Sequence, residues 1–178
     1  MDIRQFWTLI DDARGQVPAP ADSDAVAGRA STLLAACPRE EIVATQQVIW
    51  DLMAASYRNP LWAAAYMING GCSDDGFDYF RGWLIAQGRD VFEQAVADPD
   101  ALADLPSIRA AAVDGAEMEC EDTLSIAWNA HLAATGEQVP TGSYTVQYPE
   151  LDSDWNFDFD DRTEMKSRLP RLAALYLD

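Results

Sequence analysis

Apolar residues recur at spacings of three and four through most of the chain, the period of helices that bury one face. Phe6, Trp7, Leu9, Ile10 and Ala13 share one such face and predict a helix over Ile3 to Arg14. Gly15 ends it, and Pro18 and Pro20 mark a turn. Asp22 or Asp24 can cap a second helix that carries Val26, Ala30, Leu33 and Leu34 and runs to about Ala36. Pro38 suits the first position of a third helix, with Glu40 and Glu41 in the first turn, where the helix dipole favours acids. Its stripe of Ile42, Gln46, Ile49 and Met53 continues to about Tyr57. Asn59-Pro60 interrupts the pattern, and Leu61 to Ile68 is apolar all round, which predicts a buried helix.

Asn69-Gly70-Gly71 then turns the chain, and Gly76 to Gln87 predicts the next helix. Asp90 to Ala97 follows, with turns at Asp98-Pro99-Asp100 and at Pro106. Ser107 to Glu121 predicts one or two short helices, and Leu124 to Ala134 a longer one, capped by Asp122 or Thr123 and ended by Gly136. The pattern changes after that. From Glu137 to Asp161, prolines and acids alternate with Tyr144, Tyr148, Trp155, Phe157 and Phe159. This predicts extended or looped chain lying against the helices, or a short β-hairpin. A last helix over Arg162 to Leu177 should bend or split at Pro170. The expectation is a mainly α protein, one compact multi-helix domain with a long irregular or short-β excursion near 137–161. Its parts are a helical core over 1–136, an acidic aromatic segment over 137–161 and a C-terminal helix over 162–178.

A chain of 178 residues suits one domain, and 49% apolar composition suffices for a core. No run approaches the roughly 18 apolar residues of a membrane span. Met1 to Leu9 has no apolar signal-peptide stretch. Thirty acids against twelve bases leave a net charge of −18, and Lys166 is the single lysine. That balance excludes phosphate-backbone recognition and attraction to anionic lipid, so neither nucleic acid nor membrane is expected as a partner. A small molecule or a basic protein remains. Cys37, Cys72 and Cys120 form no C-x-x-C pair, which predicts reduced thiols and a cytoplasmic protein.

One segment concentrates chemistry. Ile68 to Gly88 sets five glycines, a thiol, three aspartates, an arginine and four aromatic rings together, with polar, ionisable groups among apolar neighbours. On a helix from Gly76, Asp78 and Arg81 sit three apart and can pair. Gly82 leaves room for another backbone or a ligand to come close. Carboxylates in an apolar surround have shifted pKa values, and such groups cluster in pockets. The candidate ligand-binding residues are therefore Asn69, Cys72, Asp74, Asp75, Asp78, Tyr79, Arg81 and Trp83, with Trp62 as an alternative wall. A structural reading stands beside this one. Ser73, Asp74 or Asp75 can cap the helix, Asp78–Arg81 can be a buried pair, and the glycines can serve the turn alone.

The stretch Asn69 to Gly88, NGGCSDDGFDYFRGWLIAQG, resembles the signature of a bacterial domain family of unknown function, DUF 4240. Val91-Phe92-Glu93, Ala97-Asp98-Pro99-Asp100 and the opening Phe6-Trp7 also fit it. The resemblance spans roughly Met1 to Ala134. It implies a stand-alone or fused bacterial domain and brings no activity with it. The tail beyond about Gly136 has no place in the pattern.

Other constellations are thinner. Cys72 with His131 could supply nucleophile and base, though Asp74 and Asp75 oppose a thiolate there. Glu117, Glu119, Glu121 and Asp122 with His131 form a second acidic group. Glu117 and Glu121 would share a helical face and could meet a divalent ion with Asp78 or His131, but no E-x-x-H or H-E-x-x-H spacing supports this, and no metal site is expected. Asp152, Asp154, Asp158, Asp160 and Asp161 alternate with aromatics, as in an arm packed on the core with its acids in water, or in a surface for a cationic partner. The functional expectation is a cytoplasmic binding or interaction module with a carboxylate-rich pocket at 69–83. The alternative is a small enzyme using Asp74, Asp75 and Asp78 as acid–base groups or metal ligands. The residues name no cofactor.

Overall fold

Asp2 starts the first helix. Its carboxylate accepts from the N–H groups of Arg4 and Gln5, and the Gln5 side chain accepts from the Asp2 N–H, closing a capping box. This helix, α1 (Ile3–Gln16), is followed by α2 (Ser23–Leu34), α3 (Arg39–Ala55), α4 (Asn59–Ile68), α5 (Asp74–Ala86) and α6 (Arg89–Ala97). A 3-10 turn over Pro99–Asp104 leads to α7 (Pro106–Asp114), and another over Glu121–Ser125 leads to α8 (Ile126–Thr135). A three-residue turn, Ser153–Trp155, precedes α9 (Arg162–Arg168) and α10 (Pro170–Tyr176). This computed structural model describes residues 1–177. Among them the chain is mainly α, one helical domain with no strand.

Helix α5 is the hub. It packs against α2, α3, α4, α6 and the Glu121–Ser125 turn. Every residue from Phe80 to Ala86 is buried, so α5 has almost no outer face beyond its first turns. On one side α1 lies on α2, and both α2 and α3 lie on α8. On the other, α10 lies on the Pro99–Asp104 turn, α4, α7 and α9. Asp100, which is buried, ties α10 to the Pro99–Asp104 turn. Its carboxylate accepts from the N–H groups of Arg171 and Leu172 at 2.9–3.1 Å and so caps α10.

Several boundaries differ from those that periodicity predicts. Pro38 is the cap before α3 rather than its first residue. Asn59-Pro60 opens α4 instead of preceding it, because a proline in the first turn removes an N–H that would be unpaired anyway. Asp98-Pro99-Asp100 runs into a 3-10 turn. Only one helix forms within 107–121. It stops at Asp114 because Gly115 takes the left-handed cap, φ 74°. Residues 115–120 then run in irregular chain, so Glu117 and Glu121 share no helical face. The 137–161 segment forms no hairpin. Its hydrogen bonds to the rest of the fold go to side chains of α3, α4, α8 and α9 rather than to a strand partner. Pro170 splits the C-terminal helix, as expected, and becomes the first residue of α10.

Candidate functional site

The turn and helix from Asn69 to Gly88 are bound into the fold at almost every residue. Asn69 clamps the peptide of Met118. Its Oδ1 accepts from the Met118 N–H at 2.9 Å, and its Nδ2 donates to the Met118 carbonyl at 3.4 Å. Gly70 and Gly71 adopt φ of 68° and 136°, which few other residues tolerate. The Cys72 carbonyl accepts from the Trp62 indole N–H at 3.1 Å. Ser73 caps α5, its hydroxyl accepting from the Gly76 N–H at 3.1 Å. The close approach for which Gly82 leaves room is made by backbone. The Cys120 carbonyl sits where a Cβ on Gly82 would stand, and the Cys120 N–H donates to the Tyr79 carbonyl at 2.9 Å.

Arg81 is the largest fully buried side chain, 1% exposed. Its Nη1 donates to the Met53 carbonyl, its Nε donates to the Phe77 carbonyl at 3.2 Å, and its Nη2 pairs with Asp78 Oδ1. The guanidinium also lies over two rings, 4.6 Å from the centroid of Phe77 and 5.1 Å from that of Tyr57. Trp62 stacks on the Phe77 ring at 4.7 Å. Burial pulls the guanidinium below its ordinary value, against the Asp78 charge, but its range lies far above neutrality and it stays charged. Asp78 is the outer partner, its side chain 20% exposed. Burial raises its carboxyl above the usual carboxylate range. Arg81 pulls it back, and Asp75 and Asp74 add to the rise.

The acids around this end of α5 reinforce one another. Asp74 and Asp75 are exposed in the first turn. Glu119, brought beside Gly76 by the irregular 115–120 chain, is raised by burial and by Glu117. The Cys72 thiol is pushed up to about 12, first by burial and then by Glu119, with Asp74 adding and Arg81 opposing. Tyr79, half-buried, is raised by Glu121 first, and also by Asp75 and Asp78. Tyr148, reaching in from the 137–161 segment, is raised by burial and by Asp78 and Asp74.

Of the sequence-predicted residues, the structure thus brings Cys72, Asp74, Asp75, Asp78 and Tyr79 to one electrostatic neighbourhood. Arg81 lies directly beneath, turned inward. Asn69 is committed to Met118. Trp83 is 4% exposed and packs on Phe80 at 5.4 Å, as core. His131 is fully buried in α8. Its Nδ1 donates to the Glu137 carbonyl at 2.8 Å and its Nε2 accepts from Arg39 at 3.2 Å, so both ring nitrogens are engaged away from Cys72. Sequence reasoning did not place Tyr57, Glu119 or Tyr148 at this site, although Glu119 stands in the second acidic group and Tyr148 among the aromatics of 137–161. Each arrives from a distant segment. No three His, Cys, Asp or Glu side chains among the described residues converge as one metal ion would require. Two clefts of about 450 and 280 Å³ lie elsewhere, one lined by Ile3, Trp7 and Phe92, the other by Tyr66, Phe159 and Tyr176. Neither is bordered by Asp74, Asp75 or Asp78. Among the described residues no helix is long and apolar enough to cross a membrane.

The model of a family described as a protein of unknown function (DUF4240) matches residues 1–132, and the chain belongs to that family. No curated protein and no solved structure matches it.

Proposed function

We propose that this member of the DUF4240 family is a binding module whose acidic face, at the start of α5, takes an organic cation. Asp74, Asp75 and Asp78 would hold it, with Glu119 beside them. The class is that of a polyamine, or of Lys and Arg side chains on a basic partner segment. One observation carries this reading. Asp74 and Asp75 stand exposed on the first turn of α5, Glu119 is brought beside Gly76, and none of the three makes an ion pair among the described residues. Burial is the first cause of the upward shifts of Cys72, Asp78, Glu119 and Tyr148, and neighbouring carboxylates add to each. The nearest cation, Arg81, is buried and spends its donors on Met53, Phe77 and Asp78. Arg81 offsets Asp78 alone, so the charge of Asp74, Asp75 and Glu119 is left for a bound cation to offset. The spread of the acids suits several ammonium or guanidinium groups better than one metal ion. We place the module in a reduced bacterial cytoplasm, in keeping with three free cysteines.

The second reading is a small enzyme with Asp78 as general acid, and it rests on the same raised carboxyl. It requires that Asp78→Asn abolish turnover while cation binding survives. The test of the first reading is calorimetric titration of spermine into the protein and into the Asp74→Asn/Asp75→Asn variant. Both substituted residues are exposed, so the fold should be unchanged. Saturable binding that the double variant loses supports the module. No binding to the unmodified protein overturns it.

A further inference from the structure

Residues 143–152 of the chain lie across α3 and the start of α4, and each hold on them comes from that one face. Gln47 grips a single peptide unit. Its Oε1 accepts from the Thr145 N–H at 2.8 Å, and its Nε2 donates to the Thr145 carbonyl at 3.2 Å. Trp50 stacks on Tyr144, with centroids 6.4 Å and planes 10° apart. Tyr57 meets the ring of Tyr148 edge-on at 5.2 Å. Arg58 holds the Asp152 carboxylate at 3.2 Å, and Asn59 donates to the Asp152 carbonyl at 2.9 Å. The occupant is read as aromatic, aromatic and acid at intervals of four residues, with a main-chain grip between. Grooves that take extended peptides work this way, with backbone pairing for hold and side-chain contacts for specificity.

Three observations mark this occupant as exchangeable. Thr145 to Glu150 are all exposed, and Tyr148 is 58% exposed, so seating the segment buries little apolar surface. At the Tyr144 end, Trp50 Nε1 and Ser143 Oγ are buried without a hydrogen-bond partner among the described residues, and each such group weakens the hold on the seated segment. Finally, the groove residues fall within the 1–132 family match and the occupant falls outside it.

We propose that the α3–α4 face is a peptide groove, filled in cis by residues 143–152. A partner protein's extended segment of the same pattern, Tyr-x-x-x-Tyr-x-x-x-Asp, fills it in exchange. The groove adjoins the acidic face of α5 at Tyr148, but its grips through Gln47, Trp50, Arg58 and Asn59 involve none of the α5 acids, so spermine binding and peptide binding are read separately.

The test uses the full chain carrying Tyr144→Ala and Tyr148→Ala, which removes both anchors of the cis segment and leaves α9 and α10 in place. A fluorescein-labelled synthetic peptide of residues 141–153 is titrated by anisotropy. Saturable binding is expected. It should weaken at least ~10-fold on the intact chain, where the tethered copy competes at high effective concentration. It should weaken similarly when Gln47→Ala is added. Absence of saturable binding to a folded double variant overturns the proposal, as does binding that ignores Gln47. Should the double variant fail to fold, hydrogen exchange on the unmodified chain decides. Amides of 144–151 exchanging well before those of α3 support an exchangeable segment. Exchange as slow as that of α3 overturns it.

Discussion

The carbonyl oxygen of Cys120 rests against the α-carbon of Gly82, in the space a side chain on that residue would need. This contact lets the 115–120 chain dock on α5 and brings Glu119 to the acidic face. Alanine at Gly82 would gain about 1 kcal/mol in helix propensity. The obstructing atom is backbone, however, and cannot swing away, so overpacking of about 2–3 kcal/mol should win. Gly82→Ala is therefore expected to be net destabilising by about 1–2 kcal/mol in urea unfolding, with Glu119 displaced. An equal or higher urea midpoint would contradict this packing.

Asp78 and Arg81 should respond differently to conservative change. Asp78 holds its proton to higher pH in the folded chain than in the unfolded one, because burial outweighs Arg81. Stability from this group is thus fully present below the unfolded value of 3.8 and is lost as pH rises through the raised folded value. Near neutral pH the neutral mimic Asp78→Asn, which keeps an acceptor for Arg81, should cost less than ~1 kcal/mol. Asp78→Ala removes that acceptor and should cost about 2 kcal/mol. The unmodified chain should gain on Asp78→Asn as pH falls from 7 towards 4, measured as the difference in thermal midpoint. A difference that shrinks would reverse the assigned sign.

Arg81→Lys tests the cage itself. An ammonium cannot serve Met53, Phe77 and Asp78 together or lie flat over two rings. A loss of about 2–4 kcal/mol is expected in denaturant unfolding, since a buried carbonyl is left unpaired. Near-neutral behaviour would show that shape, rather than the fork of donors, fills this site.

Asp100 ties the C-terminal helix to the body through the N–H groups of Arg171 and Leu172. Asp100→Ala should cost about 1–2 kcal/mol, as other helix caps do. The loss should be local, with α10 exchanging its amides sooner while α5 is unchanged. Uniform change across the chain would contradict a local tether.

Much of this was legible in the sequence. The stripe of Phe6, Trp7, Leu9 and Ile10, the cap at Ser73 and the break at Pro170 each follow from local rules, and each appears. The Asp78–Arg81 pairing follows from spacing alone. What could not be read was long-range. Glu117 and Glu121 looked like one helical face because a periodic pattern does not reveal that Gly115 ends the helix early. Tyr57, Glu119 and Tyr148 meet the α5 acids only through tertiary packing. Asn69 and Gly82 looked free for a ligand, yet Met118 and Cys120, about forty to fifty residues on, occupy them.

Cys72 provides a check on the electrostatics that needs no ligand. With its thiol pushed up to about 12, iodoacetamide should modify it slowly at pH 8 in the folded protein. Mass-spectrometric mapping should show the rate rising in Glu119→Gln, which removes the nearest opposing charge. Rapid alkylation of Cys72 in the unmodified chain would contradict a thiol raised by burial and by Glu119.

The central claim is that the acids at the start of α5 bind a cation. The most direct measurement is spermine titration by calorimetry at about 0.15 M ionic strength, where exposed charges more than about 8 Å apart are largely screened. The account predicts saturable binding that Asp74→Asn/Asp75→Asn abolishes with no change in thermal midpoint. Absence of binding, or equal binding to both proteins, would contradict it.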